Sequence, residues 1–344
     1  LWKRGSINKS KKVYRSRKIV GICIVGTGSY LPEKVLTNKD LEKIVDTSDE
    51  WIVSRTGIRE RRICSDKQAA SDLGIKAAQR AMEDANVKVK DIDLLIVATI
   101  TPDMFFPSTS CIIQTKLGIK GAAIFDLNAA CAGFIYSLST AQQFLQMETY
   151  KTALVIATET LSKITDWKDR NTCVLLGDGA GAAVLRKEKG DSGILSCYLD
   201  ADGQYGDLLN MPAGGSRLPA TVDTVKNRLH YLKMKGNETF KIGVPEMANS
   251  VKRGLEGCGL KIEDITLLIP HQANIRIIKA IAKRLSISMD KVFVNIDKCA
   301  NTSAATVPIA LDQANRQGRI KQGDIIELVA FGAGFTWGSC VIKW

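Results

Sequence analysis

Sliding the 344-residue sequence over itself aligns RAMEDANVKVKDIDLLI at 80–96 without a gap on RGLEGCGLKIEDITLLI at 253–269, a constant shift of 173 residues. Arg80 pairs with Arg253, Glu83 with Glu256, Lys88 with Lys261, Asp91 with Asp264, Ile92 with Ile265, and Leu94-Leu95-Ile96 with Leu267-Leu268-Ile269. Two helix–loop–strand units could converge in composition, but this many shared side chains on one diagonal favour duplication. The shift is about half the chain, so two pseudo-equivalent halves are expected at 19–190 and 191–344, behind a separate segment at 1–18. Parallel strands from two such halves would end at a common interface, where open α/β folds hold their ligands.

Apolar runs of strand length recur at 19–25, 93–99, 122–127, 152–157, 265–269, 292–296 and 325–330, separated by helical patterns. They are continuous rather than alternating, which suits strands covered on both faces in a layered α/β architecture. With 45% hydrophobic and 24% charged residues, the composition is that of a globular protein rather than a disordered or collagenous one. No apolar run approaches the ~20 residues of a membrane-spanning helix, and no membrane partner is expected.

The formal charge of +12 would suggest an acidic partner if it lay on a folded face, but residues 1–18 (LWKRGSINKSKKVYRSRK) hold eight basic side chains and no acidic one. The remainder carries only +4, so no nucleic-acid partner is expected for the folded part. The basic, acid-free end reads either as the remnant of an organelle transit peptide or as a trimmed end without function. On the first reading a plastid-like stroma (chloroplast or apicoplast) is favoured over a bacterial cytoplasm. Nine cysteines without a CxxC pair and only two histidines point away from structural zinc and from a disulfide framework, toward a reducing compartment.

Familiar nucleotide and hydrolase signatures are missing. Leu31 stands where a GxGxxG fingerprint after Gly26 needs its last glycine, and no GxxxxGK or GxSxG occurs. Cys340 in GSCV has only four residues after it, so no downstream histidine can serve it, and the stretch reads as a C-terminal strand.

Three stretches carry the polar chemistry. FDLNAACAGFIYSLSTAQQFL (125–145) reads as strand, small-residue turn and helix with Cys131 at the turn. Unpaired amide N–H groups and the helix dipole there favour thiolate. On position alone Cys131 is either a nucleophile or a small core residue; its small neighbours Ala129, Ala130, Ala132 and Gly133 leave room for a substrate. In the second half, His271 occupies the slot of Ala98 in the first, so a packing residue in one copy is a polar one at a strand end in the other. It is read either as a satisfied structural histidine or as a site residue. Asn301, in DKCANTSAATVPIALDQA, lies 170 residues after Cys131, near the duplication shift, and is expected at the pseudo-symmetric helix start; a plain N-cap is its other reading.

At these stretches, and at GTGSYLPE, TSDEWIVSRTGIRERR, GDGAGAAVL, PHQANIRII and FGAGFTWGS, the sequence from about residue 19 to 344 resembles the thiolase-fold condensing enzymes, most closely β-ketoacyl-acyl carrier protein synthase III. Related elongating synthases use Cys-His-His; here the other histidine, His230, lies in KNRLHYLKMK, unlike their motif. The resemblance implies a five-layered αβαβα sandwich and a decarboxylating condensation of an acyl-CoA, acetyl-CoA above all, with malonyl-acyl carrier protein. It needs no cofactor and no metal. Cys131, His271 and Asn301 would be catalytic, with an oxyanion hole from the amides of Cys131 and Ala333; most of the family has glycine at the position of Ala333. Thr47, Trp51, Arg55, Arg170, Gly236 and Asn274 would bind CoA, Lys241 and Arg276 would dock the acidic carrier protein, and Phe106 would close the neighbour's acyl pocket in a homodimer. A relative using another starter acyl group or serving secondary metabolism is the enzymatic alternative; a catalytically idle scaffold is the non-enzymatic one.

Overall fold

The computed structural model describes residues 20–344, so the basic segment at 1–18 lies outside the described residues. Two sheets organise the chain. The first has the order Val20–Tyr30, Asp178–Lys189, Thr152–Thr160, Leu94–Ala98, Ala123–Leu127. The second runs Gly193–Ala201, Thr336–Lys343, Ile325–Gly332, Leu267–Pro270. Reading both lists from the same edge, the first two junctions are antiparallel and the next is parallel in each sheet. Leu268 also forms a parallel bridge to Val292, where the first sheet has its fifth strand beside Leu95.

The continuous apolarity of the strands has a direct structural cause. Leu94, Ile96 and Ala98 point into one core and Leu95 and Val97 into another. Leu267 and Ile269 share the first of these cores, whereas Leu268 faces a third. Helices Gly133–Gln146 and Thr306–Arg316 fill the shared core between the sheets through Phe134, Leu138, Ile309 and Leu311. Ala70–Asp84 covers the outer face of the first sheet with Leu73, Ala77 and Ala81, beside Ile113 of Thr109–Leu117. Gly236–Cys258 and Ile275–Arg284 cover the outer face of the second through Met247, Val251, Ile278 and Ile281. The layers are therefore helix, sheet, helix, sheet, helix. Each fully buried Leu or Ile contributes about 1.5–3 kcal/mol of hydrophobic stabilisation. Among the described residues no helix is long and apolar enough to cross a membrane.

Two sequence expectations change. VFVNI at 292–296 does not form a strand: only Val292 makes a bridge, and the chain turns at Asn295 into the short helix Ile296–Cys299. Asn301 is not the counterpart of Cys131. The 3₁₀ turns Ala130–Ala132 and Ser303–Ala305, and the helices that follow from Gly133 and Thr306, are offset by the duplication shift itself, so Cys131 corresponds to Ala304 and Asn301 to Asn128. Ala130 (φ 44°) and Ser303 (φ 50°) hold the same left-handed backbone, and the preceding asparagine Oδ1 accepts the N–H of each, Asn128 at 3.3 Å and Asn301 at 2.8 Å.

Candidate active site

Cys131 sits in the 3₁₀ turn between the strand Ala123–Leu127 and the inner helix, buried against the second half. Gly332 brings the two halves together there. A Cβ at that position would stand 2.4 Å from the backbone nitrogen of Cys131, so the end of strand Ile325–Gly332 approaches the cysteine as only glycine permits. The Thr336 hydroxyl donates to the Ala129 carbonyl (2.8 Å) and pins the 332–336 turn to the cysteine loop.

The thiol does not carry the low pKa that a helix amino end suggests. Burial pushes it up to about 11; the Ser303 hydroxyl works against that, while the nearby Glu159 charge adds to it. Desolvation of the charged form outweighs the dipole. Glu159 is itself fully buried, and burial pushes its carboxyl up to about 7, against hydrogen bonds from Thr101 Oγ1 (2.6 Å) and the Ile100 N–H (3.2 Å).

His271 follows the strand Leu267–Pro270, its N–H bonded to the Val329 carbonyl at 2.8 Å. Its ring is buried, and desolvation pulls its pKa down to about 3, which keeps the imidazole neutral at physiological pH. Nδ1 lies 2.6 Å from Thr306 Oγ1. Asn301 is clamped by its backbone to the segment 175–177: its N–H donates to Leu175 O (2.9 Å) and its carbonyl accepts from Gly177 N (3.0 Å). Because Oδ1 is taken by the Ser303 N–H, the Nδ2 group is left to donate.

These side chains line one cavity of about 800 Å³ that also reaches Trp51, Arg55, Gly236, Lys241, Asn274 and Arg276. The same cavity therefore takes in an indole and basic groups together with Cys131, His271 and Asn301. The Arg55 and Arg170 guanidiniums lie 4.8 and 5.0 Å from the Trp51 ring centroid. Arg170 is outside the cavity wall and is anchored to the Asp46 carbonyl at 2.9 Å. Thr47, four residues before Trp51, is also outside the wall, with its hydroxyl buried. Asn274 caps the helix Ile275–Arg284, accepting the Arg276 N–H at 2.8 Å. A second cavity of about 410 Å³ shares Cys131 and Asn301 and is lined by Leu161, Ile164, Leu175, Leu209, Leu232 and Met234, with Ser303 and Ala333 at the cysteine end. Phe106 lines neither cavity and is 85% exposed, beside Phe105 at 79%.

Ser303, Thr306, Glu159 and Gly332 were not singled out from the sequence. Ser303 and Thr306 stand inside the NTSAAT motif, but a hydroxyl's direction is set by the φ of its turn, which residue type does not reveal. All nine cysteines are free thiols, and among the described residues no group of three or more His, Cys, Asp or Glu side chains is placed to hold a metal ion.

Helix and sheet layers in two repeated halves, with a thiol, an imidazole and a carboxamide lining one cavity, are the arrangement of a thiolase-fold condensing enzyme. Residues 125–203 match the model of 3-oxoacyl-[acyl-carrier-protein] synthase III and residues 255–344 the model of its C-terminal part. The chain is 61% identical over 321 residues to the β-ketoacyl-[acyl-carrier-protein] synthase III of Caldanaerobacter subterraneus subsp. tengcongensis, covering 93% of this chain and 97% of that protein. It is 55% identical to the protein of that name from Clostridium acetobutylicum, covering 93% and 98%. The crystal structure of 3-oxoacyl-[acyl-carrier-protein] synthase III from Aquifex aeolicus superposes with a TM-score of 0.87 at 47% identity, covering 94% of this chain and all of that one. The chain belongs to the β-ketoacyl-acyl carrier protein synthase III family, acyl-transferring condensing enzymes that start type II fatty acid synthesis. These relatives come from bacteria, so they give no support to the plastid-like stroma and agree with the bacterial alternative.

Proposed function

We propose that the chain condenses acetyl-CoA with malonyl-acyl carrier protein, with Cys131, His271 and Asn301 as its catalytic residues. The observation that carries this reading is that all three line one cavity, from opposite halves of the chain. Cys131 Sγ attacks the thioester carbonyl, and the backbone amides of Cys131 and Ala333 hold the tetrahedral oxyanion. Alanine at 333, where most of the family has glycine, keeps the N–H this role needs. The C–S bond to CoA breaks, the thiol proton of Cys131 ends on the CoA sulfur, and acyl-cysteine remains.

Malonyl-acyl carrier protein then loses carbon dioxide, which places enolate charge on its thioester oxygen. His271 Nε2 and Asn301 Nδ2 donate to that oxygen, and the carbanion attacks the acyl-cysteine to give β-ketoacyl-acyl carrier protein, expelling the Cys131 thiolate, which takes up one proton from solvent. Two hydrogen-bond donors suffice for an enolate, so this chemistry calls for no cofactor. Trp51 stacks on the adenine, Arg55 and Arg170 hold the phosphates beside Thr47, and Gly236 and Asn274 line the pantetheine path. Lys241 and Arg276 at the mouth receive the acidic carrier protein. The exposed Phe105-Phe106 pair is covered in a homodimer, where Phe106 closes the partner's acyl pocket. We place the reaction in a bacterial cytoplasm.

Intact-mass analysis after incubation with a panel of acyl-CoAs tests the reading. Wild type should gain the mass of the acetyl group and Cys131→Ser should gain nothing; equal labelling of both would put the nucleophile elsewhere.

A further inference from the structure

The Thr306 hydroxyl has one hydrogen and two acceptors in reach: His271 Nδ1 at 2.6 Å and the Ser303 carbonyl at 3.0 Å. The carbonyl already accepts the backbone N–H of Thr306, so it is not orphaned when the hydroxyl turns away. Among the described residues Nδ1 has no other partner than this hydroxyl, and both side chains are buried. The direction of this hydrogen bond decides what the ring offers the cavity. If the hydroxyl donates to Nδ1, the neutral ring carries its proton on Nε2 and presents a donor; if Nδ1–H donates to the hydroxyl, Nε2 is bare. A bare Nε2 beside Asn301 Nδ2 would repel an enolate oxygen that needs two donors.

We propose that Thr306 is a positioning residue whose hydroxyl donates to Nδ1 of His271 and so fixes the ring as the Nε2–H tautomer. Its purpose rests on the condensation reading, but the tautomer can be observed without substrate. The chain has only two histidines, so long-range ¹H–¹⁵N correlation of ¹⁵N-histidine-labelled protein resolves both rings, and His230→Gln assigns them. The expected wild-type pattern for His271 is a protonated Nε2 and an unprotonated Nδ1. Thr306→Val should move the ring to a mixture or to the Nδ1–H form, and Thr306→Ser should keep the wild-type pattern.

In turnover, Thr306→Val should load acyl groups as wild type does but lower condensation kcat about 10-fold or more at unchanged KM, since removing one oxyanion donor outright costs about 10²–10³. Thr306→Ser should restore it. A wild-type ring protonated on Nδ1, or a Thr306→Val protein with wild-type tautomer and turnover, would overturn the proposal. If Thr306→Val does not fold, the wild-type spectrum and Thr306→Ser decide it. A tautomer shift in a protein whose wild type releases no carbon dioxide would leave the Thr306 assignment standing and remove the condensation reading instead.

Discussion

Burial sets the protonation states of the proposed catalytic residues. His271 is held neutral with a pKa pulled down to about 3, so its stability contribution is fully present above the unfolded value near 6.5 and is lost as pH falls from there toward 3. Urea unfolding should therefore show wild type losing about 1.4 kcal/mol more per pH unit than His271→Gln between roughly pH 6 and 4. Parallel pH dependence in the two proteins would mean that the ring is not desolvated. Cys131 is pushed the other way, to about 11, so alkylation of its peptide by iodoacetamide should climb steadily from pH 7 to 10, with no plateau at neutral pH. A plateau by pH 7 would show a thiolate already formed at rest. That Cys131, His271 and Asn301 line one cavity could be anticipated because each interrupts a local pattern: a cysteine in a small-residue turn, a histidine where the repeat has Ala98, an asparagine ahead of a helix. Their protonation was not legible, because desolvation depends on what the other half brings against them.

The elements that place these groups are short turns under tight steric control. Gly332 is the most exposed to failure, since a Cβ there would meet the Cys131 nitrogen at 2.4 Å. Gly332→Ala should lower stability by about 1–3 kcal/mol and cut acyl loading disproportionately, because relief of the clash must move either the cysteine loop or the 332–336 turn. Thermal unfolding and a loading assay on the same sample separate the two effects; unchanged loading would mean that the turn yields without disturbing Cys131. Buried strands such as Leu94–Ala98 and Ile325–Gly332 announced themselves as apolar runs. Asp178–Lys189 did not, because its DGAGAA start is made of residues that pack by being small, and 292–296 misled because its apolar side chains divide among three cores, Phe293 between the sheets, Val292 outside the second and Ile296 in another cluster, while only Val292 makes a bridge. Cys131 was paired with Asn301 by nearness in number, whereas the repeated Asn–x–(left-handed residue) turn pairs Asn128 with Asn301.

At the scale of the molecule, duplication explains the division of labour. The first copy supplies the proposed nucleophile Cys131 and the second the proposed donors His271 and Asn301, so neither sheet builds the cavity alone. On the proposed reaction, the first cavity would take the thioester arm and the second, which shares Cys131 and is lined by leucines, the acyl group. Met104, Phe105 and Phe106 are three consecutive exposed apolar side chains, which the proposed homodimer would bury. Light scattering should give twice the 37.5 kDa chain mass, and replacing Phe105 and Phe106 by serine should shift it toward that of one chain; a monomeric wild type would remove the dimer.

The division between the two halves of the reaction is open to one direct measurement: acyl loading and release of labelled carbon dioxide from malonyl-acyl carrier protein, followed in parallel for wild type, His271→Ala and Asn301→Ala. Both variants should load acyl groups at full stoichiometry while carbon dioxide release falls by about 10² or more. Variants that load and decarboxylate like wild type would contradict the roles assigned to the imidazole and the carboxamide.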